Sequence, residues 1–193
     1  MLLLNAYSRF AMRRLALFAL IFLSLVSAVF FLLQNRIAQQ NERALLRQFQ
    51  EIYPAAESSL LKTQQTLDLA HQRVILYTLR DAHHHDIAYF IQATTAKGYN
   101  GEITLLIGID PNHQLLGVRT VAHRETAGLG DKIDRRISPW IESFRGKSRQ
   151  NTRFSLKKDG GDFDAFTGAT ITPRAVVNLV DSVLNDWETR NEP

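Results

Sequence analysis

The longest apolar run in the chain occupies residues 15–33, LALFALIFLSLVSAVFFLL, about nineteen positions without a charge. At a rise of ~1.5 Å per residue, a helix of that length nearly matches the ~30 Å hydrocarbon core of a bilayer. Arg9, Arg13 and Arg14 precede it; Gln34, Asn35 and Arg36 follow. The positive-inside tendency then predicts a cytoplasmic N-terminus, with the large C-terminal part across the membrane. A cleaved signal peptide is the alternative, favoured by the small residues within 24–28. It is opposed by the apolar residues at 29–33, which outrun the usual h-region. An uncleaved anchor is the expectation.

Beyond the run, IAQQNERALLRQFQEIY (37–53) brings Ala44, Leu45, Phe49 and Ile52 to helical spacing, and Pro54 stops the pattern. This predicts a stalk helix. Residues 55–70 have no clear period and are expected to form a connection. Four strands follow at 74–79, 87–94, 103–109 and 115–121, rich in β-branched and aromatic residues. Asp81 with its neighbouring histidines, the stretch from Lys97 to Gly101, and Asp110-Pro111-Asn112 supply the turns between them. ITLLIGIDPNHQLLGVRT is a hairpin candidate.

Two further helices are predicted. Residues 132–144 put Ile133, Ile137, Trp140, Ile141 and Phe144 on one face; residues 173–187 do the same with Val176, Val177, Val180, Val183, Leu184 and Trp187. Strands first and helices after suggest an α+β fold with a mainly antiparallel sheet. The expected organisation is an N-terminus and anchor (1–36), a stalk and connection (37–70) and a folded domain (71–193), with no internal repeat.

Composition narrows the chemistry. Hydrophobic residues make up 45% and charged residues 22% of the 193, as in an ordinary folded domain. The net charge is +4, and the basic residues are scattered, unlike the clustered stripe of a nucleic-acid binder. There is no cysteine, which excludes disulfides, thiolate nucleophiles and cysteine-held iron–sulfur clusters. Any redox chemistry must use another cofactor.

His83-His84-His85, between Asp81 and Asp86, invites a metal-site reading. Adjacent histidines diverge along a strand and converge poorly in a turn, so a solvated hairpin tip is the expectation. His113 also reads as a turn residue, and His123 as a structural histidine. No residue is assigned a metal-binding or catalytic role.

Two stretches carry candidate chemistry. In HRETAGLGDKI (123–133), Gly128 and Gly130 flank Leu129, allowing positive φ and close approach to a flat ligand; Asp131 is a candidate cap for the following helix. An ordinary strand-to-helix loop is the competing reading. In DAFTGATITP (164–173), Thr172-Pro173 reads as an N-cap followed by proline at the first helical position. Thr170 lies just ahead, where unpaired N–H groups (from Arg174 and Ala175 on this reading) and the helix dipole favour an anion. Gly168-Ala169 leaves room around it, and Lys157-Lys158 adds cations upstream. From the residues alone, a phosphate site and plain helix capping both remain open.

DAFTGAT (164–170) resembles the D-x-x-(S/T)-G-A-(T/S) sequence of FMN-binding domains that carry flavin covalently. ETAGLGDKI resembles the family's ETPGLG-type loop, which lies against the isoalloxazine ring. KKDGGDFDAFTGATITPRAVVNLV and GYNGEITLLIGID are similar to the G subunit of the Rnf ion-translocating electron-transport complex. The resemblance covers most of 98–180. It implies a single-pass transmembrane helix followed by an FMN-binding domain with a twisted sheet flanked by helices. It also implies an inner-membrane subunit whose domain lies on the periplasmic side.

In such proteins a flavin transferase, using FAD and Mg²⁺, joins FMN through a phosphoester to the last hydroxyl residue of the motif, here Thr170. Asp164, Thr167, Gly168 and Ala169 are then implied in transferase recognition or the phosphate environment. Glu125, Thr126, Gly128, Leu129 and Gly130 are implied to border the ring. Ala127 stands where the family usually has proline, which predicts altered ring contacts. Lys157 or Lys158 would stabilise reduced, anionic flavin, or form only a solvated pair. The implied partners are other membrane subunits of the complex, the flavin transferase during maturation, and lipid, with no nucleic acid.

The C subunit of the sodium-translocating NADH:quinone reductase shares the flavin motif. GLGDKI followed by the short 140–147 segment, and the compact chain, favour the Rnf subunit. A cofactor-free structural subunit and a free-standing flavin reductase are the rivals of other classes. The sequence shows no catalytic constellation for the reductase, and turnover by the isolated chain is not expected.

Overall fold

The computed structural model describes residues 2–54, 61–69 and 72–191. The chain divides into two compact units, Met1–Leu45 and Leu46–Pro193. Helix α1 (Leu2–Ile52) supplies the first unit and the opening turns of the second. Within the first unit, Met12–Leu32 is long and apolar enough to cross a membrane, with its side chains exposed all round. An all-round apolar helix surface suits contact with lipid. The Ser24 hydroxyl donates to the Ile21 carbonyl at 2.8 Å, so this polar group of the span is satisfied within the helix.

The second unit is built on a five-stranded antiparallel meander in sequence order: β1 (Leu61–Asp68), β2 (Arg73–Arg80), β3 (Asp86–Gly98), β4 (Gly101–Ile109) and β5 (Leu115–Ala122). The four expected strands are β2 to β5. β1 occupies half of what the pattern predicts as a connection, pairing in full register from Leu61↔Arg80 to Asp68↔Arg73. Its sequence, LKTQQTLD, is polar because it lies at the sheet edge, with Leu67 buried and its central residues exposed. Residues 55–60 and 70 of the expected connection lie outside the described residues.

Both faces of the sheet are covered, which explains why ITLLIGI lacks alternation. One face carries Leu76, Ile91, Ile103, Leu105 and Ile107 against α2 (Ile171–Asn191), whose Val176, Val180, Val183 and Leu184 are fully buried. The other face receives the last turns of α1. Phe49 packs on Tyr77 and Phe90 with ring centroids 5.3 and 4.5 Å apart. Ile52 sits over the cross-strand pair Gly108↔Gly117; a Cβ on Gly108 would lie 2.6 Å from the Ile52 methyl. Arg119, nearly buried, donates to the Glu51 carbonyl at 3.0 Å and pairs with the Glu51 and Glu142 carboxylates; Arg145 donates to the Ile52 carbonyl at 3.2 Å. These two cations satisfy the last carbonyls of α1, where the helix dipole favours positive charge.

The expected helix at 132–144 is instead two short 3₁₀ helices, Gly130–Ile133 and Pro139–Phe144. Pro139 forces Ser138 into extended backbone (φ −150°, ψ 147°), and the Ser138 hydroxyl accepts the Trp140 N–H. Ile133, Ile141 and Phe144 are buried as the pattern requires, whereas Ile137 is exposed. Asp131 lies within the first of these turns and caps nothing.

Helix α2 starts at Ile171, earlier than expected. The Thr170 carbonyl accepts the Arg174 N–H at 3.2 Å, so Thr170, not Thr172, holds the N-cap position. Thr172 and Pro173 lie inside the first turn, where a proline's missing N–H costs no intrahelical bond.

Candidate functional site

Three segments distant in sequence enclose one open cleft of about 170 Å³. They are Tyr99 from the β3–β4 turn, Glu125, Thr126, Leu129 and Gly130 from the loop after β5, and Gly168 to Thr172 at the entry to α2. The cleft therefore brings together Glu125, Thr126, Leu129, Gly130, Gly168, Ala169 and Thr170 of the expected site residues. Gly128, Asp164 and Thr167 do not line it.

The 125–130 loop is a tight coil around one acceptor. The Thr126 carbonyl receives the N–H groups of Leu129, Gly130 and Asp131 at 3.1, 3.1 and 3.3 Å. Gly128 makes this possible with φ +77°, a region that side chains disfavour. Ala127 is exposed and makes no wall of the cleft.

Glu125 is buried beneath the loop. Its carboxylate accepts the Thr172 hydroxyl at one oxygen and the Asn100 N–H at the other, the latter at 3.1 Å. The Asn100 side chain donates to the Thr126 hydroxyl at 2.9 Å, and the Glu125 N–H donates to His123 Nδ1 at 3.1 Å. His123 is thus a structural acceptor.

The 164–170 segment is presented outward from an aromatic base. Phe166 is buried against Trp140 with centroids 5.0 Å apart, and the Trp140 indole donates to the Asp164 carbonyl at 2.9 Å. Phe166 to Ala169 forms a tight turn, closed by the Ala169 N–H on the Phe166 carbonyl at 3.2 Å with Gly168 at φ +80°. Thr167 and Gly168 are exposed at its tip. The Asp164 carboxylate pairs with Lys157 at 2.8 Å, and the Lys158 ammonium donates to the Thr170 hydroxyl at 3.1 Å. Upstream, the Asp162 carboxylate accepts the Arg153 N–H at 2.8 Å, which holds its acidity below the usual carboxylate range. Pairing of Phe163 with Ser155 and of Lys157 with Phe163 completes the attachment of this loop.

With the Arg174 N–H committed to Thr170, the helix donors left toward an anion are those of Ile171 and Thr172, one turn earlier than the sequence pattern suggests. Tyr99, Asn100, Ile171 and the buried role of Thr172 are also missed by sequence reasoning. An exposed aromatic in the Lys97–Gly101 turn is the one local signal that could have flagged the first.

The histidine run forms the β2–β3 turn. Asp81 accepts the N–H groups of His83 and His85 at 2.8 and 2.9 Å, and His84 adopts φ +64°. The whole of β3 separates this turn from Tyr99 and the cleft.

A cleft at a helix N-terminus, ringed by a glycine loop and an outward hydroxyl, suits a flat phosphate-bearing ligand. Residues 98–185 match the FMN-binding domain family. Across its length the chain is similar to the G subunits of ion-translocating oxidoreductase complexes. It is 42% identical over 188 residues to that of Shewanella baltica (92% of this chain, 87% of the relative) and 42% over 176 residues to that of Escherichia coli K12 (86% and 84%). It is 36% identical over 189 residues to that of Aliivibrio fischeri ES114 (92% and 89%). The chain belongs to this family of G subunits.

Proposed function

We propose that this chain carries FMN as a phosphoester on Thr170 and passes electrons within an Rnf-type ion-translocating membrane complex. One observation supports this reading most. Of the four exposed large apolar side chains described beyond the membrane span, Tyr99, Leu129 and Ile171 converge on the cleft that holds the Thr170 hydroxyl. Apolar groups left in water around a polar anchor suit an aromatic ring tethered through a phosphate.

The residues fit such a group. Lys158 stands at the hydroxyl, and the first turn of α2 directs its N–H groups to the same place. The space beside Gly168 is open, with the Leu129 methyl 3.7 Å from where a Cβ would be. The cleft is smaller than the ~300–1,000 Å³ of pockets that enclose a ligand whole. A flavin would therefore not be enclosed whole, and its lasting retention would depend on the covalent bond. FMN, when bound, supplies reversible uptake of one or two electrons. The chain's own part would be to hold the phosphate at Thr170, to offset its charge with Lys158, and to offer the ring the apolar side chains of Tyr99, Leu129 and Ile171. Thr167 and Gly168, exposed on their tight turn beside Asp164 and Ala169, present the motif to a flavin transferase.

The apolar Met12–Leu32 span serves as a lipid anchor, and Arg9, Arg13 and Arg14 favour a periplasmic domain. Partners are the other membrane subunits of the complex. A cofactor-free subunit, with Thr170 at the N-cap for folding alone, is the competing reading.

Mass spectrometry separates them. Chain produced with an active flavin transferase is digested with trypsin, releasing DGGDFDAFTGATITPR (159–174). A peptide heavier by FMN less one water, with the added mass on Thr170, supports the proposal. An unmodified peptide, when the transferase modifies a control substrate, favours the cofactor-free subunit.

A further inference from the structure

Glu125 is implied by its motif to face the flavin ring, yet its carboxylate is occupied elsewhere. It is buried, and its two oxygens are taken by the Thr172 hydroxyl in the first turn of α2 and by the Asn100 N–H in the β3–β4 turn. The three walls of the cleft therefore meet at one side chain.

The backbone around this carboxylate is shaped to admit it. A Cβ on Gly130 would lie 2.6 Å from Glu125 Oε2 and 2.9 Å from Thr172 Oγ1; a Cβ on Gly98 would lie 2.8 Å from Glu125 Oε1. Two glycines from different segments thus leave the space that the carboxylate fills. Thr172, itself 1% exposed, is two residues from Thr170, inside the same first helical turn.

We infer that Glu125 is a positioning residue for Thr170. By binding Thr172, it fixes the first turn of α2 against the 125–130 loop and the β3–β4 turn, holding the Thr170 hydroxyl at the cleft mouth in an attack-ready orientation. The inference rests on the proposed modification of Thr170, in which its hydroxyl oxygen bonds to the FMN phosphorus of FAD as the pyrophosphate bond breaks, releasing AMP and the hydroxyl proton. It adds that a buried residue forty-five positions upstream controls the rate of that modification without touching the flavin. Reaction rates respond steeply to such orientation.

The test uses the full chain in detergent, with flavin transferase, FAD and Mg²⁺, following intact mass against time. Glu125→Ala is expected to load about tenfold more slowly, the scale of losing a hydrogen bond to a buried charged group. The transferase's kcat falls while its KM for the acceptor stays, because the recognition turn at 164–169 is intact. Glu125→Gln, whose amide can accept the Asn100 N–H and donate to the Thr172 hydroxyl, restores most of the rate. Thr172→Val slows loading as Glu125→Ala does, and the double variant is no slower than Glu125→Ala alone, as for two residues acting through one bond. In the unmodified chain, hydrogen exchange at the Arg174 amide quickens in Glu125→Ala and Thr172→Val and not in Glu125→Gln.

Normal loading by Glu125→Ala, additive slowing in the double variant, or unchanged exchange at Arg174 overturns the inference. If Glu125→Ala does not fold, the Thr172→Val and Glu125→Gln comparison decides by the same criteria. Failure of the wild-type chain to load is a different result: it removes the proposed function, and exchange at Arg174 still reports whether Glu125 orders the turn.

Discussion

The Lys158 ammonium donates to the Thr170 hydroxyl at 3.1 Å, bridging twelve residues of loop. Its neighbour Lys157 pairs instead with Asp164 at 2.8 Å. Two adjacent lysines, indistinguishable in the sequence, thus serve different groups of one motif. Because Lys158 is exposed, its effect is screened and modest. Lys158→Ala is expected to slow flavin loading by about threefold, with Lys158→Arg near wild type, as an exposed charge contact worth under ~1 kcal/mol predicts. Intact-mass time courses at low and high salt check this, and the difference should shrink as salt rises.

Thr170→Ala should abolish covalent flavin, whereas Thr170→Ser should retain it. Both preserve the backbone carbonyl that accepts the Arg174 N–H. In-gel flavin fluorescence after denaturation reads the outcome. Colour surviving denaturation in Thr170→Ala would place the bond on another residue.

Gly130→Ala drives a methyl into the Glu125–Thr172 pair. Neither partner can yield without breaking a buried hydrogen bond, so we expect a loss of about 1–3 kcal/mol, typical of overpacking. Urea unfolding of the full chain in detergent measures it; unchanged stability would mean the loop relaxes freely.

Ile52→Ala should cost about 2–5 kcal/mol, since Ile52 is fully buried over the Gly108↔Gly117 pair and its removal leaves a cavity. The same urea unfolding measures it. A shift below ~1 kcal/mol would show that the glycine hollow collapses around the smaller side chain.

The Asp162 carboxylate titrates below its ordinary range, chiefly because the Arg153 N–H donates to it. Its folded value thus lies under its unfolded one. The contribution of the Asp162 carboxylate to holding the 153–163 loop is fully present above the ordinary carboxylate pKa of ~3.9 and is lost as pH falls through the depressed value, while the backbone pairing remains. A carboxyl NMR titration of Asp162, with amide exchange at Arg153, should show a low midpoint and loosening only in acid. A midpoint at or above the ordinary value would contradict the hydrogen-bond assignment.

Much of the fold is legible as local pattern. β-branched runs mark β2 to β5, and the 3.6-residue period of Val176, Val180, Val183 and Trp187 marks α2. β1 escapes because an edge strand facing water needs no apolar alternation; its pairing with β2 is what makes it a strand. The buried spacing of Ile133, Ile141 and Phe144 suggests a helix, but Pro139 divides the segment and tertiary packing accepts two 3₁₀ turns with the same residues inside.

The site divides in the same way. DAFTGAT and the GLG loop are short strings whose local structure depends on neighbours in sequence: glycines that turn, hydroxyls placed beside them, a helix that begins. The sequence by itself therefore determined the apolar span and the motif, whose resemblance to covalent FMN-binding domains makes Thr170 the expected attachment point. Which residue caps α2, which lysine meets Thr170, and how Tyr99, Leu129 and Ile171 ring one cleft were decided only by the tertiary structure. The same holds for the union of Glu125 and Thr172. These relations join segments tens of residues apart, and their distances arise from sheet pairing and core burial, which no local spacing encodes.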